Sequence, residues 1–132
     1  MSNPESLKAI GVIGVGHLGK RHLKNVIKLP SVICAGFFDI DGETSNRITR
    51  ERGVEAAVSI QEIIDKSDAL IIAVPTSEHF SVGKACLEAG KDVFMEKPLC
   101  ASLEEADILV ELAEKKEVVL QVGHVERLNP AI

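Results

Sequence analysis

Three glycines, Gly14, Gly16 and Gly19, stand in the spacing G-x-G-x-x-G at the end of the apolar run Ala9-Ile10-Gly11-Val12-Ile13. That spacing suits a diphosphate. The first glycine lets the backbone turn, the second removes a side chain that would hold a pyrophosphate off, and the third lets a helix settle on its strand. The first-turn N–H groups of the following helix then point at the phosphates, with the helix dipole behind them. A glycine triplet alone is weak evidence, since packing turns use it too. Asp39 strengthens it by closing a second apolar run, Val32-Ile33-Cys34-Ala35-Gly36-Phe37-Phe38, twenty positions beyond Gly19. A dinucleotide-binding unit places there the acid that takes the adenosine ribose hydroxyls. A carboxylate in that position repels the additional phosphate of NADP, so these residues favour NAD. Arg47 and Arg50 fall on the solvated face of the next helix, and Asp41 is the alternative holder of the ribose.

Positioning such a site takes alternating strands and helices, and the chain supplies both. After the glycines, Leu23, Val26 and Ile27 share one helix face and Pro30 closes the helix. Residues 43–52 predict a helix stopped by Gly53, and Val54-Glu55-Ala56-Ala57 a short third strand. Ser59 and Glu62 have the spacing of a capping box, as do Ser102 and Glu105. The run 69–74 predicts a fourth strand ending at Pro75-Thr76-Ser77, then a helix over 78–89 closed by Gly90. A fifth strand at 92–95 ends at Glu96-Lys97-Pro98. The helix after Ser102 sets Ala106, Leu109, Val110 and Ala113 on one face, and 118–122 is the sixth strand. Right-handed crossovers between these strands give an α/β, doubly wound parallel sheet of six strands, expected in the order 3-2-1-4-5-6. Its ligand belongs at the strand C-termini where the order reverses.

Composition excludes several function classes. A net charge of −5 argues against a nucleic-acid footprint. The one basic cluster, Lys20, Arg21, His22, Lys24 and Lys28, reads as the solvated side of the first helix. No apolar run approaches the roughly twenty residues a membrane span needs, and the N-terminus lacks a secretory pattern, so a cytoplasmic location is expected. Cys34, Cys86 and Cys100 are odd in number and in apolar company, which suits reduced, buried thiols; no metal site is expected.

Four ordered stretches resemble the glucose–fructose oxidoreductase / inositol dehydrogenase / MocA family of nicotinamide-dependent sugar oxidoreductases. They are Gly14 to Gly19 with His22; Ala73-Val74-Pro75-Thr76-Ser77-Glu78-His79; Ala89 to Pro98, ending in Glu96-Lys97-Pro98; and Val122-Gly123-His124-Val125-Glu126-Arg127-Leu128-Asn129-Pro130. The resemblance spans essentially the whole chain and implies a Rossmann-type fold. It also implies roles: Gly14, Gly16, His17, Leu18 and Gly19 on the pyrophosphate, Asp39 on the adenosine ribose, and Pro75, Thr76 and His79 along the cofactor cleft. Glu96 and Lys97 are implied against the nicotinamide ribose, with Gln121 bordering the nicotinamide. Lys97 suits the chemistry independently. Oxidising a secondary alcohol sends a hydride to the nicotinamide and a proton to a base, and the alkoxide-like charge wants a nearby cation. Lys97 could instead be a surface turn residue, and His79 is equally a cleft residue or a polar core histidine. Whether the Lys97–Pro98 bond is cis stays open at this point.

The wording of residues 122–130 is similar to family members acting on nucleotide-linked amino sugars, such as UDP-N-acetylglucosamine 3-dehydrogenases, although those carry Phe where Leu128 stands. In the family a second, larger α/β domain follows, holding the sugar pocket and the oligomer interface. Residues 1–123 are accordingly expected to be the dinucleotide-binding domain and 124–132 the start of the connection. Such a fragment should bind NAD(H) without turnover, its apolar tail disordered or paired with another copy into a homo-oligomer. A non-catalytic redox-sensing module is the alternative, but a sensor has no need of Glu96-Lys97-Pro98.

Overall fold

The computed structural model describes residues 7–123. His124, the end of the motif that continues to Pro130, and the expected tail pairing lie outside them. Five strands, β1 (Lys8–Ile13), β2 (Val32–Phe38), β3 (Ala69–Ile72), β4 (Asp92–Glu96) and β5 (Leu120–Gly123), form one sheet. All pairs are parallel, in the order β2-β1-β3-β4-β5. Helices α1 (His17–Lys28), α2 (Gly42–Arg52), α3 (Ile60–Lys66), α4 (His79–Glu88) and α5 (Leu103–Lys116) make the crossovers.

Strand alternation divides the core between the two faces. Val12 and Phe37 meet Leu23 and Val26 of α1 and Ile48 of α2 on one face. Ile13, Leu70, Ile72, Val93 and Met95 meet α3, α4 and α5 on the other. Burying each of these side chains is worth about 2 kcal/mol. Both expected capping boxes form caps: Ser59 Oγ accepts from the Glu62 N–H at 3.1 Å and Ser102 Oγ from the Glu105 N–H at 3.2 Å.

The expected count of six strands is corrected to five, because the expected third strand does not form. Residues 54–57 make a single parallel bridge, Ala56 to Phe37, where a third strand was expected to pair. Ala57 donates to the Phe37 carbonyl at 2.7 Å, but the Val58 N–H then turns to the Glu62 carboxylate at 2.8 Å. The α3 cap thus takes the chain out of the sheet before a ladder can grow, and the order is 2-1-3-4-5 rather than 3-2-1-4-5-6. Val110 is also corrected. Leu109 and Ala113 are buried on α5, while Val110 faces solvent. Of the thiols, Cys86 is buried, whereas Cys34 and Cys100 are only half-buried. Burial pushes the Cys86 thiol up to about 12. Burial also raises the Cys100 thiol, with the Glu105 carboxylate adding to it.

Candidate functional site

A cleft of about 430 Å³ opens at the C-terminal ends of β1, β2 and β3, where the sheet order reverses. The strand ends are laced together around it: Gly14 N–H donates to the Phe38 carbonyl and Ala73 N–H to the Ile13 carbonyl, both at 2.8 Å. The three glycines do different work. Gly14 takes φ +89°, and a Cβ there would lie 2.9 Å from the Ala73 main chain. On Gly19 a Cβ would run into the Gly14 carbonyl, so this glycine sets how closely α1 lies on its strand. A Cβ on Gly16 would point into open space, with no residue beyond its own neighbours within 4 Å. Its missing side chain leaves open space in front of α1, whose N-cap has no side-chain hydrogen bond. The first-turn N–H groups are therefore left for an anion, and a dinucleotide fits the residues present.

Asp39 closes the other side. Its Oδ2 accepts from the Val15 N–H of the glycine turn at 2.9 Å and its Oδ1 from the Asp41 N–H at 2.8 Å. The carboxylate is thereby fixed, and each oxygen keeps a lone pair for a further donor. Asp41 stands at the N-cap position of α2 without a side-chain capping bond; the Thr44 hydroxyl donates to its carboxylate and holds it below the usual range. Ile40, between the two acids, is 88% exposed and lines the cleft. Among the described residues no Lys or Arg lines it.

Of the sequence-expected residues, Gly14, Gly16, His17, Leu18, Asp39 and Pro75 line the cleft, and Gly19 packs behind it. Thr76, His79, Glu96, Lys97 and Gln121 do not line it. Thr76 begins a 3-10 turn, Thr76–Glu78, whose Glu78 does face the cleft. Gln121 is an exposed residue of β5 opposite Phe94 and lines a separate trough of about 480 Å³. Glu96 is 8% exposed, and its Oε1 lies 2.7 Å from Nε2 of His22, whose ring meets Phe94 edge-on. Lys97 is exposed at the mouth of the turn, its N–H donating to the Gly123 carbonyl at 3.1 Å. The Lys97–Pro98 bond is cis. His79 is 2% exposed, with both ring nitrogens near main-chain carbonyls.

Sequence reasoning missed Ile40, Glu78 and the His22 pairing. A large aliphatic directly after the acid, in an otherwise polar loop, is the signal that could have found Ile40. Nothing local signals the partnership of His22 with a residue 74 positions away. Among the described residues there is no group of three His, Cys, Asp or Glu able to hold a metal, and no helix long and apolar enough to cross a membrane.

A family model described as an oxidoreductase family with an NAD-binding Rossmann fold matches residues 8–124. A UDP-N-acetylglucosamine 3-dehydrogenase of Acidithiobacillus ferrooxidans is 38% identical over 92% of this chain and 38% of its own length. Its solved structure superposes with a TM-score of 0.90 at 36% identity, over 96% of this chain and 41% of that one. A scyllo-inositol 2-dehydrogenase (NAD(+)) of Bacillus subtilis is 36% identical over 91% of this chain and 36% of its own length. A Synechocystis biliverdin reductase, solved with biliverdin and NADP+, gives a TM-score of 0.87 at 26% identity, over 93% and 40% of the two chains. The chain thus spans less than half the length of each relative.

Proposed function

Because the chain belongs to the glucose–fructose oxidoreductase / inositol dehydrogenase / MocA family, we propose that it is the NAD(H)-binding domain of an enzyme oxidising a secondary alcohol of a sugar or nucleotide sugar. The observation that carries this is the empty space before Gly16, facing a fixed Asp39 carboxylate across the cleft. Gly14, Gly16, His17, Leu18 and Gly19 hold the pyrophosphate on the first turn of α1. Asp39 takes the adenosine ribose hydroxyls, and the Ile40 side chain offers an apolar shelf beside them. With two acids, Asp39 and Glu78, and no Lys or Arg along the cleft among the described residues, an additional ribose phosphate would be repelled, which supports NAD over NADP.

Bound nicotinamide supplies the hydride acceptor. Lys97, at the end of β4, takes the proton of the reacting hydroxyl and steadies the charge left on its oxygen. Glu96, turned inward to His22, shapes the turn that carries Lys97. The relative's name supports a nucleotide-linked amino sugar as substrate, ahead of inositol or a free hexose. The chain by itself binds cofactor without turnover, since the alcohol's pocket is expected in the second domain.

The test is a titration with NADH followed by nicotinamide fluorescence, which is clean because the chain has no Trp or Tyr. We expect saturable binding, weakened at least tenfold in Asp39→Ala, and NADPH weaker than NADH by about tenfold, as like charge facing the extra phosphate requires. No binding to the wild-type chain overturns the proposal; equal binding of NADPH overturns the NAD preference. UDP-N-acetylglucosamine oxidation by a whole protein carrying this domain, with inositol inert, tests the substrate class.

A further inference from the structure

Beyond the end of their ladder, at Ile72 opposite Met95, β3 and β4 run into two turns with different tasks. One, through Val74, Pro75 and Glu78, walls the cleft. The other carries Lys97. Among the described residues no main-chain hydrogen bond joins the two. A single ring does. His79, 2% exposed at the start of α4, sets Nε2 3.0 Å from the Val74 carbonyl, and Nδ1 2.9 Å from the Pro98 carbonyl and 3.0 Å from that of Leu99. Every polar neighbour of the ring is an acceptor, so a proton on either nitrogen is donated to one turn or the other.

We infer that His79 is a positioning residue for Lys97, its ring clasping the lysine-bearing turn to the wall of the cofactor cleft; this rests on the role proposed for Lys97. Lys97 is then pinned from two sides. Its own N–H is held by Gly123 of β5, and the two carbonyls that follow it by the ring. Imidazole suits the task because its two nitrogens sit at opposite edges of a rigid ring, so the nitrogen that carries the proton donates to one turn while the buried ring, wedged between them, fixes the spacing to the other. At 2% exposure the ring has no face left for a cofactor atom, so its effect on a ligand passes through the turn.

Two probes separate the ends of the cofactor: NADH, and ADP-ribose, which lacks the nicotinamide. In the full 132-residue chain, His79→Phe should weaken NADH about tenfold, leave ADP-ribose within twofold, and shorten the fluorescence lifetime of bound NADH. Lys97→Ala should show the same selective loss, and the double variant no more than either single, as residues acting through one another require. Equal losses for both probes, or additive effects in the double variant, reduce His79 to a packing residue and overturn the inference. If Lys97→Ala binds NADH as the wild type does, the role of Lys97 falls and the clasp with it. If Lys97→Ala weakens NADH and His79→Phe does not, only the clasp falls. Should His79→Phe fail to fold, the wild-type ring decides: its NMR signals should shift with NADH and not with ADP-ribose, and equal shifts with both overturn the inference.

Discussion

The turn after β1 and the turn after β4 both sit at strand C-termini, yet they are built from different materials. The glycine turn is made of backbone. Its shape comes from Gly14 at φ +89°, from Gly19 pressed against the Gly14 carbonyl, and from open space at Gly16. The Glu96–Pro98 turn is made of side chains reaching in from elsewhere, with His22 on Glu96 and His79 on the carbonyls of Pro98 and Leu99. The backbone site has no room for added atoms at Gly14 or Gly19, whereas a side-chain site fails when a distant partner is removed.

The sharpest way to break the comparison is Gly19→Ala. Its Cβ has nowhere to go but into main chain, so we expect a loss of about 3 kcal/mol or more in urea unfolding, as overpacking against backbone gives, together with loss of NADH binding. Next is pH, which probes the core beneath both turns. The folded Cys86 thiol ionises near 12, against 9.0 as its ordinary value. The unfolded chain therefore gives up this proton first, and stability falls as pH rises from about 9 towards 12, by up to about 4 kcal/mol. Cys86→Ala should flatten that slope in thermal melts taken between pH 8 and 11; an unchanged slope assigns the loss to other groups.

His22→Ala comes third. It leaves the buried Glu96 carboxylate without the ring at 2.7 Å, and about 2 kcal/mol should be lost. Because the ring packs edge-on to Phe94, His22→Phe separates packing from the hydrogen bond. If the two variants lose equally, the hydrogen bond carries the effect. Smallest is Ser102→Ala, which removes one N-cap hydrogen bond and touches neither the glycine turn nor the ring contacts of the Glu96–Pro98 turn; it should lower stability by about 1 kcal/mol without changing NADH affinity.

The same contrast explains how far the chain was legible before its structure. Gly14, Gly16, Gly19 and Asp39 show in the sequence because their tasks depend on residue type at a fixed local spacing. The caps at Ser59 and Ser102 show for the same reason. The third strand misled because Val54 to Ala57 has strand-like composition, and only the competing bond from Val58 to Glu62 ends it. His79 and Glu96 stood out as motif residues, but their inward orientation depends on contacts 19 and 74 positions away, which no local pattern encodes. The place of Gln121 opposite Phe94, along the trough, is set by strand register, which no local pattern encodes.

Gly16→Ala tests the central claim most directly. A methyl group there meets no residue beyond its own neighbours within 4 Å, so its only effect is on whatever occupies the space before α1. Urea unfolding should stay within about 1 kcal/mol of wild type, the scale of a Gly-to-Ala change, while NADH affinity falls at least tenfold. An alanine variant that binds NADH as tightly as the wild-type chain would contradict the account.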